Sequence, residues 1–165
     1  MATYTVESLF RQQPDTNLSE CTVSGWVRTV RDSKAFGFIE LNDGTHFRNL
    51  QVVLEDGATE NFADALKITL GSAVRATGEL VLTPDMKQPF ELKAKKVELV
   101  GACAPSYPLQ KKRHSFEYLR TIAHLRPRTN TFYAVFRIRS LAAQYIHAFF
   151  AERGFVYVHT PLITT

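Results

Sequence analysis

Arg28, Arg31, Phe36, Phe38 and Gln51 are the side chains of this sequence best suited to recognition chemistry. Single-stranded nucleic acid is held by stacking bases on aromatic rings, worth about 1–3 kcal/mol per base, with arginines reaching phosphates or base edges. A glutamine amide adds a donor and an acceptor side by side, which suits one base edge. Phe36 and Phe38 are two apart, so a strand puts both on one face. That spacing fits a base platform and a barrel core equally well. Other chemistries find less support. His46, His114, His124, His147 and His159 lack a metal-ligand spacing. The glycines are scattered and form no phosphate loop, and no Ser/His/Asp arrangement follows from spacing. Cys21 and Cys103 stand alone, which argues against structural zinc and suits a reducing cytoplasm.

Those five residues need strands to carry them. Thr5 to Gln12 reads as a short helix with Val6, Leu9 and Phe10 on one side, ended by Pro14-Asp15. Cys21 to Arg31 alternates, with Cys21, Val23, Gly25, Val27 and Thr29 on one face and Thr22, Ser24, Trp26, Arg28 and Val30 on the other. Asp32-Ser33-Lys34 is a turn, and Phe36 to Leu41 a second strand. Asn42-Asp43-Gly44 is a hairpin signal leading to a third strand, Asn49 to Leu54. Asn61 to Ile68 reads as a helix, and Ala73 to Leu82 and Phe90 to Val100 as two more strands around a Thr83-Pro84-Asp85 turn. Three strands, a helix and two strands is the order of a five-stranded OB-fold barrel, whose working face centres on its second and third strands. Another small β-barrel is the alternative at this level, and fold alone does not give function.

From Tyr107 to Asn130 the character changes. Lys111, Lys112, Arg113, Arg120, Arg126 and Arg128 face a single acid, Glu117. Such a run reads as a solvated linker or as a phosphate-facing hinge. Beyond it, Val135, Ile138, Ala142, Tyr145 and Phe149 recur at helical spacing, and Phe136, Leu141, Ile146 and Phe150 widen the stripe. This predicts a helix from about Phe132 to Glu152, stopped by Arg153-Gly154, and then a strand from Phe155 to Thr160 interrupted by Pro161. A stripe this broad needs a covering partner, so the segment is expected to open a second, truncated domain. Residues 1–104 carry 11 Lys and Arg against 14 Asp and Glu, whereas 105–165 carry 9 against 2. The first part therefore binds nucleic acid, if at all, by a local patch and base contacts. No apolar run approaches the ~20 residues of a membrane span, and Met1 to Arg11 has no secretory signal pattern.

The stretch Tyr107-Pro108, Gln110 to Arg113, His114-Ser115-Phe116-Glu117 and Arg120 to Asn130 closely resembles the hinge of asparaginyl-tRNA synthetases. Aspartyl and lysyl relatives carry a tyrosine-leucine-aspartate run where this chain has His124 to Pro127. Arg31-Asp32, Phe38-Ile39-Glu40 and Leu50-Gln51-Val52 resemble the stretches with which this subclass holds the anticodon. The resemblance implies that Phe38 stacks on the central uridine, that Gln51 and Arg31 contact that base, and that Glu91 reads the first anticodon base. Arg28 is placed on the same face. Lys111, Lys112 and Arg113 are implied phosphate contacts near the inside of the tRNA elbow. Arg153-Gly154-Phe155 through Pro161-Leu162 resembles motif 1 of class II synthetases, which implies a dimer interface built from Phe149, Phe150 and Pro161.

The resemblance thus implies an anticodon-binding OB domain over 1–104, a hinge over 105–130 and the start of a class II catalytic domain over 131–165. The parent reaction would activate asparagine with ATP and Mg²⁺ to an adenylate and pass it to tRNA. Residues 1–165 alone are expected to be inactive, with no catalytic residue, metal or cofactor of their own. The expected partners are tRNA and a second copy of the parent chain, in the cytoplasm, with no membrane and no DNA. Two rivals stand beside this reading: an aspartyl relative of relaxed tRNA specificity, and a free-standing single-strand-binding OB module.

Overall fold

The computed structural model describes residues 2–162, and the chain divides after Arg113 into two units. The first holds all the strands: β1 (Ala2–Tyr4), β2 (Leu18–Ser33), β3 (Phe36–Asn42), β4 (Leu50–Glu55), β5 (Ala73–Leu82) and β6 (Phe90–Gly101), with α1 (Val6–Gln12) and α2 (Phe62–Ala65) between them. The sheet runs β1-β2-β3-β4-β6-β5, and β5 pairs back onto β2, so β2 to β6 close into a five-stranded barrel. This is the expected OB-fold.

Closure follows from alternation. Ile39 and Leu41 of β3, Leu50, Val52 and Leu54 of β4, and Leu92 of β6 are all fully buried in one core. Phe36, Phe38, Glu40, Gln51 and Glu91 alternate with them on the outer face. Where β5 and β6 cross most closely, a side chain on Gly78 would collide with the Lys93 carbonyl, so only glycine fits. The β4–β6 seam has only two register pairs, Val52 with Leu92 and Val53 with Lys93. The segment before α2 fills the gap: Asn61 Nδ2 donates to the Val97 carbonyl at 2.6 Å, and Val97 N–H donates to Asn61 Oδ1 at 3.1 Å.

Several sequence expectations need correction. A bulge between Val27 and Thr29 shifts the phase of β2. Val30 therefore pairs with the buried Ile39 and turns toward the core, and Thr29, Arg31 and Ser33 turn outward with their partners Glu40, Phe38 and Phe36. An inserted residue is invisible to an alternation count, which assumes a period of two throughout. β1 was not anticipated; three residues paired in parallel with Cys21 to Val23 are too short for a periodic signal. The helix expected over Asn61 to Ile68 contracts to Phe62–Ala65.

The turn after β3 is longer than its Asn-Asp-Gly signal suggests, and it forms a loop over 43–49. Asn42 Oδ1 accepts from Gly44 N–H at 2.8 Å, and Asp43 Oδ1 from Thr45 N–H at 3.0 Å. This loop also caps α1. Thr5 and Ser8 form a reciprocal capping box, and the next two amides, Val6 and Glu7, donate to Asp43 Oδ2 at 2.8 Å and Thr45 Oγ1 at 3.0 Å.

The second unit contains α3 (Phe116–Thr121), a 3-10 turn (Arg126–Arg128) and α4 (Asn130–Ala151). Arg126 lies 5.0 Å from the Phe132 ring centre and 5.7 Å from that of Phe136, so this hinge cation packs against α4. Gly154, at φ +82°, ends the helix as expected: its N–H donates to the Ala151 carbonyl and that of Phe155 to the Phe150 carbonyl. No residue of α4 is buried among those described; Ile138 is 68% and Tyr145 72% exposed. Residues 155–162 form no strand, contrary to the alternation of Phe155 to Thr160. A strand exists only through ladder bonds to a neighbour, and among the described residues this segment has none.

Candidate nucleic-acid interface

Four of the five anticodon candidates meet on the outer face of the barrel, in two adjacent rows. The first row is Arg31 of β2, Phe38 of β3, Val53 of β4 and Lys93 of β6, each register partner to the next. The second is Thr29, Glu40 and Gln51, continued by Glu91. Rows two residues apart are separated by about 7 Å along the strands. A base lying on Phe38 therefore brings its edge within reach of Gln51.

Phe38 is half-buried and lies outside the core cluster. The Arg31 guanidinium sits 5.8 Å from its ring centre, and Arg31 also approaches Glu40 at 4.0 Å. Glu40 is held in turn by Asn49, whose Nδ2 donates to Oε2 at 3.0 Å, and Asn49 Oδ1 accepts from Asn42 Nδ2 at 3.0 Å. The ring is thus flanked by a steered cation on one side and aliphatic Val53 on the other. Phe36 lies on the same face, 42% exposed, opposite Ser33 and Glu55. Neither phenylalanine belongs to the core cluster, so the core alternative is not supported.

Gln51 is fixed at both ends of its amide. Nε2 donates to Glu91 Oε1 at 2.8 Å, and Oε1 accepts from Gln88 Nε2 at 2.7 Å. Gln88 belongs to the loop between β5 and β6, where Thr83 Oγ1 donates to the Gln88 carbonyl at 2.7 Å and Thr83 N–H to the Pro89 carbonyl at 2.9 Å. With Glu40 and Glu91 set against Arg31 and Lys93, this face carries no broad positive field. The pairing of Gln51 with Glu91 joins two residues 40 apart in sequence.

Arg28, the fifth candidate, sits at the β2 bulge, half-buried. Lys111, Lys112 and Arg113 are exposed at the end of the first unit. In the second unit Phe149 and Phe150 are about half exposed, and Pro161 is exposed beyond the helix cap. Glu40, Asn49 and Gln88, which contact the candidate residues, are absent from the sequence-based candidates. Glu40 was detectable, being two residues from Phe38 on the same strand face. Gln88 was not, because no strand periodicity reaches into its loop.

Residues 21–100 match the family model of the OB-fold nucleic acid binding domain. The chain is 68% identical over 164 residues to the asparagine–tRNA ligase of Acetivibrio thermocellus, covering 99% of this chain and 35% of that protein. It is 57% identical over 164 residues to the asparagine–tRNA ligase of Alkaliphilus oremlandii, again covering 99% and 35%. The crystal structure of asparaginyl-tRNA synthetase from Pyrococcus horikoshii complexed with asparaginyl-adenylate superposes with a TM-score of 0.84 at 20% identity, over 98% of this chain and 37% of that one. At that identity it is the fold that is shared. The chain is a homologue of the asparagine–tRNA ligases and spans about the N-terminal third of those it matches.

Proposed function

We propose that this chain is the anticodon-binding part of an enzyme that joins asparagine to its tRNA through an asparaginyl adenylate made from ATP. The observation that carries the reading is the pairing of a half-exposed ring, Phe38, with an amide held at both ends, Gln51, one row away on the outer barrel face. Phe38 stacks the middle anticodon base and Gln51 reads its edge. Arg31 steadies that base across the ring. Glu91 keeps one carboxylate oxygen on Gln51 and offers the other to the first anticodon base. Lys111, Lys112 and Arg113 neutralise tRNA phosphates without reading sequence. Phe149, Phe150 and Pro161 lie in a contact between two copies of the parent chain, which works in the cytoplasm. Mg²⁺ is expected with the ATP. The described residues offer no group of three or more His, Cys, Asp or Glu side chains placed to hold a metal.

The test is binding of an anticodon stem-loop with a uridine-centred asparagine anticodon to the 165-residue chain, against the same stem closed by a scrambled loop. Preference for the anticodon loop, lost in Gln51→Ala, is the expected result. Equal affinity for both loops overturns the assignment of this face.

A further inference from the structure

Uridine and cytidine differ on their pairing edge by an exchange. Uridine offers a donor at N3 and an acceptor at O4, whereas cytidine offers an acceptor at N3 and a donor at N4. A side-chain amide carries one acceptor and one donor, so it matches uridine in one orientation and cytidine after a half-turn about its last bond. A glutamine free to turn over would accept both pyrimidines. Discrimination needs the amide to be locked.

The lock is present in the structure. An ionised carboxylate only accepts, so Glu91 demands the N–H₂ end of Gln51, at 2.8 Å. Gln88 presents its own N–H₂ to the other end, at 2.7 Å. Turning Gln51 over would set its oxygen against the Glu91 carboxylate, a lost bond and a repulsion that no rotation of Glu91 relieves, and would also break the Gln88 contact unless Gln88 turned over with it. The two contacts use one hydrogen of Nε2 and one lone pair of Oε1, so a second donor and a second acceptor remain for a ligand. We propose that Gln88 is a positioning residue: with Glu91 it fixes the amide of Gln51 in one orientation, and this fixed orientation lets the site tell uridine from cytidine. The inference rests on the anticodon reading above and adds to it a residue that need not touch RNA.

The test compares the affinity ratio of two stem-loops, identical except for uridine or cytidine at the middle anticodon position. The chain is used whole, as wild type and as Gln51→Ala, Gln88→Met, Gln88→Glu and Gln88→Lys. The loop is held through the Thr83 contacts to the Gln88 and Pro89 carbonyls, so side-chain changes at 88 leave it in place. Methionine keeps length without a donor, glutamate puts an acceptor against Oε1, and lysine keeps a donor. The ratio is expected to fall about two- to tenfold in the methionine and glutamate variants, the span of one hydrogen bond between part-buried groups. It should survive in the lysine variant, whose added charge strengthens both complexes alike. Without RNA, the Gln51 side-chain amide resonances should lie apart from those of solvated glutamines in the wild type and move toward them in Gln88→Met. If Gln51→Ala abolishes the ratio while Gln88→Met and Gln88→Glu keep it, the lock is wrong and the binding face stands. If Gln88→Lys loses the ratio as fully as Gln88→Met, the donor argument is wrong. If Gln51→Ala leaves the ratio unchanged, both the lock and the reading beneath it fail.

Discussion

Phe38 and Ile39 are neighbours in the chain with opposite roles, and truncating each separates recognition from folding. Ile39 is fully buried in the core cluster, whereas Phe38 stands on the outer face between Arg31 and Val53. Ile39→Ala removes buried methylenes and leaves a cavity, at a cost of about 2–5 kcal/mol of stability. Phe38→Ala exposes no core and removes a surface ring, whose contact with Arg31 is worth about 0.5–1 kcal/mol at an exposed site. Its loss should appear in binding instead. One base without its stacking partner costs about 1–3 kcal/mol, which is about 5- to 150-fold in affinity. Because every base has a π-face, the loss should be nearly the same for all four middle bases. Fluorescence anisotropy with four anticodon stem-loops gives the affinities, and urea titration gives the stabilities. The reasoning is refuted if Phe38→Ala destabilises the barrel as much as Ile39→Ala does, or if stem-loop affinity is unchanged by it.

Lys112→Ala should weaken whole tRNAs uniformly and reduce the salt-dependence slope by about one unit, as for a single phosphate contact; a stem-loop too short to reach the hinge should not respond. Residues 1–113 should be monomeric in light scattering, whereas residues 1–165 should self-associate and bind an apolar dye through the exposed Ile138, Tyr145 and Phe149; a monodisperse, dye-negative 165-residue chain contradicts this. Burial pushes the Cys21 thiol up to about 11 from an ordinary 9.0, so in the folded chain at pH 8 an alkylating reagent should modify the part-exposed Cys103 and spare Cys21. A folded-state value above the unfolded one favours folding fully below about pH 9 and loses that contribution as pH rises through 11. Urea midpoints should therefore fall over that window, and fall less in Cys21→Val.

The bounds of β5 and β6 are legible almost to the residue because clear turns flank them; β5 alternates along its length, and the irregularity at Lys95 in β6 leaves the ends of that strand unchanged. Phe38 stands out as a site candidate only with the family resemblance, since a ring at i, i+2 looks the same in a core or on a platform. The alternation of β2 fails past Val27, where a single bulge changes which residues share a face. The bonds from Gln51 to Gln88 and Glu91 were unreadable for another reason: they depend on how the β5–β6 loop folds over the end of β4. The segment 155–160 has the alternation of a strand but no neighbour to pair with among the described residues, and periodicity reports only half of what a strand requires.

The docking of α1 on the loop 43–49 turns two backbone amides into reporters. Val6 and Glu7 donate to side chains of that loop, and the same loop ends at Asn49, which holds Glu40 beside Arg31. Their protection against hydrogen–deuterium exchange should track the order of the loop, although they belong to a different element. RNA seated on Phe38 and Arg31 would then slow exchange at positions 6 and 7, at a site it never contacts. A fusion that pulls on the start of the chain would speed it up, so any affinity tag for binding work is better placed at the other end.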